Sequence, residues 1–200
     1  MKRIIGVLAS ILFIGTIYAQ EISQSNVPAV VLNSFQLSFP NADDVKWKLE
    51  KGNYEVRYKV NSKSNKLVLD DKGKVLRHTQ DLFVSEIPRE VLETIGSKVE
   101  YYDVDDADRW EFDGKITYEI KIEVDGKNHL FRINEKGKLL KFRKELDDSE
   151  IPASIMNLIN SIYGEIDIDG AKYVEEPEQK IFMLRGEIND HDHAFTFDQE

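Results

Sequence analysis

His191 and His193 flank Asp192 in Asn189-Asp190-His191-Asp192-His193. On an extended strand a His-x-His pair turns both imidazoles to one face, as some zinc and copper sites do. Asp190 and Asp192 then project from the other face, so a third ligand has to come from elsewhere. The same five residues also read as the turn of a last hairpin. A second acid-rich place holds Asp103, Asp105, Asp106 and Asp108, with Asp167 and Asp169 in a comparable position further on. A calcium loop needs acidic or amide residues at its first, third and fifth places, glycine at the sixth and glutamate at the twelfth. Counted from Asp103, those last three places fall on Ala107, Asp108 and Gly114, so the motif fails and solvated turn carboxylates are the simpler reading. Nucleophilic catalysis finds no cysteine, no Gly-x-Ser-x-Gly elbow and no glycine-rich phosphate loop. Ser25, Ser85 and Ser149 recur, which a single active site does not require. Among 37 acidic residues nothing singles out a pair for glycoside hydrolysis. The chain is read as a non-enzyme with no catalytic residue and no cofactor. A cation-binding protein of the envelope (calcium, zinc or copper) is the alternative, and a hydrolase is the least favoured reading.

Elements that position such residues begin after a leader. Lys2 and Arg3 precede the apolar run Ile4 to Ile17, and the small residue Ala19 closes it, which predicts a cleaved secretory signal over 1–19. The run is too short and too rich in Gly, Ser and Thr for a membrane span. No cysteine follows it to carry a lipid, so no membrane insertion is expected after cleavage and the location is periplasmic or secreted. Losing Lys2 and Arg3 takes the formal charge from −10 to −12. Such a surface repels phosphate backbones, so nucleic acid is excluded as a partner, while acidity also serves solubility.

A repeat of about sixty residues organises the remainder. Ser25-Asn26-Val27-Pro28, Ser85-Glu86-Ile87-Pro88 and Ser149-Glu150-Ile151-Pro152 each precede a helical stripe: Val31, Phe35 and Phe39, then Val91 and Ile95, then Ile155, Ile159 and Ile162 with Leu158. Proline suits a first helical turn, where its missing N–H has no partner. An acidic turn and an aromatic strand entry follow, with Trp47, Trp110 and Tyr173 spaced 63 and 63 residues apart. Tyr54-Glu55-Val56-Arg57-Tyr58-Lys59-Val60 alternates strictly, as does Tyr118-Glu119-Ile120-Lys121-Ile122-Glu123-Val124 at an offset of 64, the pattern of half-buried antiparallel strands. Asp70 with Gly73, and Asn134 with Gly137, then mark hairpin turns. The prediction is an α+β fold of tandem units, each one helix followed by about four antiparallel strands. The units span 20–86, 87–149 and a shortened, divergent 150–200, where Pro152 and Tyr173 mark the repeat positions.

The order of Ile/Val-Pro, amphipathic helix, Asp-rich turn, Trp, Tyr-Glu-Val and Asp-x-x-Gly-Lys resembles the PepSY-like, β-lactamase-inhibitor-protein-like (BLIP-like) family of secreted envelope proteins. Its carriers are Pro28, Phe39, Pro40, Trp47, Tyr54, Glu55, Asp70, Gly73, Pro88, Trp110, Tyr118, Glu119 and Gly137. The resemblance implies helices packed on one face of a curved antiparallel sheet, the other face open, and a non-enzymatic role in binding or inhibiting a protein or peptide of the envelope, a peptidase included.

Alternation then predicts the open face. With Trp47, Tyr54, Val56 and Tyr58 turned to the helices, Lys46, Lys48, Glu55, Arg57 and Lys59 face outward. In the second unit Glu111, Glu119, Lys121 and Glu123 are expected there. The first half is basic and the second mostly acidic, an asymmetry suited to steering a partner, against the plainer reading of a solvated face with cross-strand ion pairs. Trp47 and Trp110, at matching positions, are both expected in the core.

Overall fold

Each helix begins immediately after a proline: α1 (Ala29–Ser38) after Pro28, α2 (Arg89–Gly96) after Pro88 and α3 (Ala153–Tyr163) after Pro152. The computed structural model describes residues 20–188 and 191–199, so the expected leader and the Asn189-Asp190 turn lie outside the described residues. Each proline stands one place ahead of its first helical turn, and its carbonyl accepts from the N–H of Leu32, Leu92 or Met156. The preceding tetrapeptides form 3-10 turns at Gln24–Asn26, Val84–Glu86 and Asp148–Glu150. Their glutamates have a structural task. Glu86 accepts from the Phe83 N–H at 2.8 Å and Glu150 from that of Asp147 at 2.9 Å, closing the turn. The same carboxylates hold Lys63 at 2.7 Å and Lys127 at 2.8 Å, tying each turn to the strand beside it.

The strands are β1 (Gln20–Ile22), β2 (Asp43–Glu50), β3 (Asn53–Val60), β4 (Lys63–Leu69), β5 (Val75–Asp81), β6 (Asp103–Phe112), β7 (Lys115–Val124), β8 (Lys127–Asn134), β9 (Leu139–Leu146), β10 (Asp167–Glu176), β11 (Gln179–Ile188) and β12 (His191–Asp198). They form one antiparallel sheet in sequence order. Four strands follow α1, four follow α2 and three follow α3. Sheet therefore dominates, and the α+β expectation is corrected toward a mainly β molecule. The reason is the brevity of the helical stripes. Each helix buries a single i, i+4 pair, Val31 and Phe35, Val91 and Ile95, or Ile155 and Ile159, so two or three turns suffice. Among the described residues no helix is long and apolar enough to cross a membrane.

Directly paired residues share a sheet face, so the register assigns every side chain. Ala107, Ile120, Phe131 and Phe142 form one row across β6 to β9, and Tyr173, Phe182 and Phe197 another across β10 to β12. All three helices cover this same face: Val31 and Phe35 pack on Trp47, Val56 and Leu67, Val91 and Ile95 on Ile120 and Phe131, and Ile155 and Ile159 on Ala171 and Leu184. Fully burying a Val, Ile or Phe side chain contributes roughly 1.5–3 kcal/mol. The hairpin turns dock under the helices. Gly73 has φ +79° and Gly137 φ +77°, and a Cβ there would lie 2.8 Å from the Val30 oxygen or 2.9 Å from that of Glu90. Ser34 and Thr94 fasten the two turns by donating to the Gly73 and Gly137 carbonyls at 2.7 and 2.6 Å.

Two expectations fail on register. The acidic clusters are not turns: Asp43 and Asp44 lie in β2, Asp103 to Asp108 in β6, and Asp167 and Asp169 in β10, each beside a bulge. The tryptophans, moreover, are not equivalent. Trp47 pairs with Val56 on the helix face, whereas the residue opposite Ile120, the counterpart of Val56, is Ala107. Ala171, opposite Leu184, takes that place again. Trp110 lies three residues beyond Ala107, and an odd displacement along a strand sends a side chain to the other face. Trp110 therefore stands on the open face, opposite Thr79 and Thr117. Glu111 is displaced with it, to the helix face opposite His78 and Ile116.

Candidate functional site

One cross-strand row on the open face runs Lys46, Arg57, Lys66, Thr79 and Trp110 across β2 to β6. Around it lies a trough of about 540 Å³ that also takes in Lys48, Lys59, Asp81 and Asp108. Trp110 forms its apolar floor at one end. The Lys66 ammonium and the Arg77 guanidinium each lie 5.8 Å from the indole centroid, within cation–π range. Three groups here are buried and unpartnered among the described residues: Thr79 Oγ1 and Trp110 Nε1 of the trough, and Arg77 Nε on the residue that lies against the indole. Thr79 as a residue is only 7% exposed. Each of the three can donate a hydrogen bond, and a buried donor left unpaired costs about 1–3 kcal/mol.

The charges divide along the trough. On β2 and β3, Lys59 and Lys46 hold Asp44 at 3.1 and 3.7 Å, and their ammoniums keep its carboxyl below the usual aspartate range. Arg57 pairs with the buried Glu55 at 3.0 Å. Lys48, Lys66 and Arg77 make no ion pair among the described residues. At the β5–β6 end, Asp81 stands directly opposite Asp108. Burial first, then the carboxylates of Asp106, Asp81 and Glu119, push Asp108 up to about 6.

The predicted partner-binding residues thus separate into two groups. Lys46, Lys48, Arg57 and Lys59 line the trough. Glu119, Lys121 and Glu123 share the face but lie outside the trough, where Glu119 is paired with Arg132 and Lys121 with Asp105. Sequence reasoning missed Lys66, Arg77, Thr79, Asp81, Asp108 and the Trp110 floor. The alternation of Lys66 and Val68 with the buried Leu67 and Leu69 carried that signal for β4. His191 and His193 do share a face of β12, the helix face, and His193 lies in an aromatic row between Tyr163 and Phe195, with ring centroids 6.4 and 6.2 Å away. Among the described residues no three His, Asp or Glu side chains converge as a cation site.

A long antiparallel sheet, helices on one face and a charged trough on the other, is an open-faced sheet architecture. Solved structures share this fold. A DUF2874 family protein from Bacteroides uniformis superposes with a TM-score of 0.52 at 16% identity, covering 58% of this chain and 88% of its own. A Bacteroides eggerthii protein provisionally described as periplasmic gives 0.52 at 15% identity, with 59% and 88% covered. A BLIP-like protein from Bacteroides fragilis gives 0.50 at 20% identity, with 63% and 93% covered. At such identities the likeness is one of fold, and it supports the BLIP-like half of the expected resemblance and not the PepSY-like half. The neighbours are nearly spanned, while about two fifths of this chain lies outside each superposition. No protein-family model matches the chain, and no curated relative does.

Proposed function

We propose that this protein is a non-enzymatic, exported binding module, periplasmic or secreted, that holds an acidic segment of another protein against its open sheet face. A peptidase is one partner class that such a module would inhibit. The observation that carries this reading is the set of unpartnered donors of Thr79, Arg77 and Trp110 beside Lys48 and Lys66, which have no counter-ion among the described residues. Carboxylates of a bound segment would meet Lys48, Lys66 and Arg77, while an apolar side chain rests on Trp110. Swinging the flexible Lys66 stem aside opens the floor to acceptors. Asp81 and Asp108 fix the orientation by repelling the acidic end. The stretches 20–86, 87–149 and 150–200 are proposed as tandem units that supply the scaffold, with function in the differences between them. The likeness to a BLIP-like fold supports a binding role in general terms.

The test is binding of fluorescent peptides, one rich in Asp and Glu and one rich in Lys, to the mature chain. The acidic peptide binds preferentially, and Lys66→Glu or the Lys48→Glu/Lys66→Glu double variant, which breaks no ion pair among the described residues, weakens it about tenfold or more at unchanged melting temperature. Equal affinity of the variants, or preference for the basic peptide, would overturn the reading.

A further inference from the structure

β12 is bordered by β11 on one side and by no described strand on the other. The first two helix-led stretches show what belongs there. The strands that correspond to β12 are β4 and β8, and each has a further antiparallel neighbour, β5 or β9. In β8, His129, Phe131, Ile133 and Asn134 match His193, Phe195, Phe197 and Asp198 of β12 at a constant offset of 64. With β9 in place Phe131 and Ile133 are fully buried, Phe131 lying 4.6 Å from Phe142 between ring centroids. Phe195 and Phe197 are only partly buried.

The helix above tells the same story. Ser34 and Thr94 fasten the turns that lead into β5 and β9, and Val30 and Glu90 seat them. Ser154 and Leu158 hold those places on α3, and they line an apolar groove of about 600 Å³ with Pro152, Ile155, Phe197 and Gln199. Leu158 is 49% exposed, and Ile162 and Tyr163 beside it are exposed as well. The groove and the edge are one continuous seat, lying at the far end of the sheet from the trough and on its opposite face.

We propose that this seat accepts an extended strand of another polypeptide by addition to the β12 edge, and that the strand resembles β9. Its apolar or aromatic residues would face Phe197, Phe195 and Leu158, as Phe142 and, across a bulge, Leu139 face Phe131 and Ile133. Its intervening residues would be basic, as Lys141 and Arg143 are in β9, because the open side of the β12 edge carries Asp192 and Asp198 with Glu187 beside them. Main-chain hydrogen bonds along the β12 edge, which no described strand occupies, supply affinity, and the alternate side chains supply selection. A second copy of this chain is the poorer occupant, since two bodies of formal charge −10 or beyond repel each other while a basic strand is attracted.

A peptide with the sequence of residues 136–147 of this chain is the probe, with a scrambled peptide of the same composition as control. Binding is measured by fluorescence anisotropy and its place by amide hydrogen exchange. The expected result is at least about tenfold tighter binding than the scrambled peptide, slowed exchange confined to β12 and α3, and loss on Leu158→Glu, whose side chain is exposed and whose fold is retained. Lys66→Glu leaves this binding unchanged, which separates the seat from the trough. Equal binding of the scrambled peptide, protection at the trough instead, no binding at all, or a concentration-dependent dimer whose β12 amides are already protected would each overturn the proposal.

Discussion

β8 and β12 carry similar side chains in the same order on the same face, yet β8 lies at the centre of a closed core and β12 forms its margin. Phe131 is wholly buried, while its counterpart Phe195 is half covered and stacks with His193 and Phe197 in an exposed row. Residue type does not explain the contrast, because aromatic and branched residues stand in both strands. The neighbour explains it: β9 brings Phe142 and Leu139 against β8, and no described strand does so for β12. Burial on a sheet is a property of the pair of strands, and this molecule shows both cases on one scaffold.

Truncation should separate the two strands most clearly. Phe131→Ala is expected to cost about 3–5 kcal/mol, the range for emptying a packed aromatic site. Phe195→Ala, with part of its surface already in water, is expected to cost about 1 kcal/mol. Urea denaturation of the two variants measures both, and equal losses would erase the distinction. Next in size is the turn that leads into β9. Gly137→Ala forces a Cβ to 2.9 Å from the Glu90 oxygen at φ +77°, and should destabilise by about 1–3 kcal/mol. Ser154→Ala on α3, where no such turn is seated, should stay within about 0.5 kcal/mol.

The smallest effect distinguishes the trough from the rest of the open face. Asp108 is held up to about 6, so between its unfolded value near 4 and that value the folded state binds more protons than the unfolded chain. Stability therefore falls as pH rises through this window. The loss is roughly 1–2 kcal/mol after allowing for solvent at a half-exposed group. Asp108→Asn removes the slope and is more stable than the parent at pH 7, as thermal melts at pH 4 and pH 7 would reveal. Glu150 works in the opposite sense. The Lys127 ammonium, then the Asp147 N–H, hold it down to about 2, so its contribution is present above pH 4.5 and lost on acidification toward pH 2.

Much of this architecture was legible in the chain. Proline after an apolar residue marked each helix start, the i, i+4 spacing marked one buried pair per helix but also included Leu158 and Ile162, which are exposed, and strict alternation in β3 and β7 placed Arg57, Lys59, Glu119 and Lys121 on the open face. The trough was only half legible. Its basic wall drew Arg57 and Lys59 from a strand of clean alternation, whereas the match of Trp110 to Trp47 fails because β6 sets Ala107, three residues earlier, opposite Ile120, with equivalent bulges in β2 and β6. Spacing between landmarks cannot reveal such a slip, since 60 and 63 look alike in a repeat but differ by an odd number along a strand. Asp81 and Asp108 are also 27 residues apart in sequence, and only the pairing of β5 with β6 brings them opposite each other.

The sequence by itself determined the local elements, because propensity, proline placement and turn chemistry act over a few residues. It also determined the helix face through most of the strands, because that face follows from alternation within one strand. Which strands lie side by side, which edge stays open and on which face Trp110 stands were decided by the tertiary structure. They depend on register between strands, where a displacement of one residue moves a side chain to the other face.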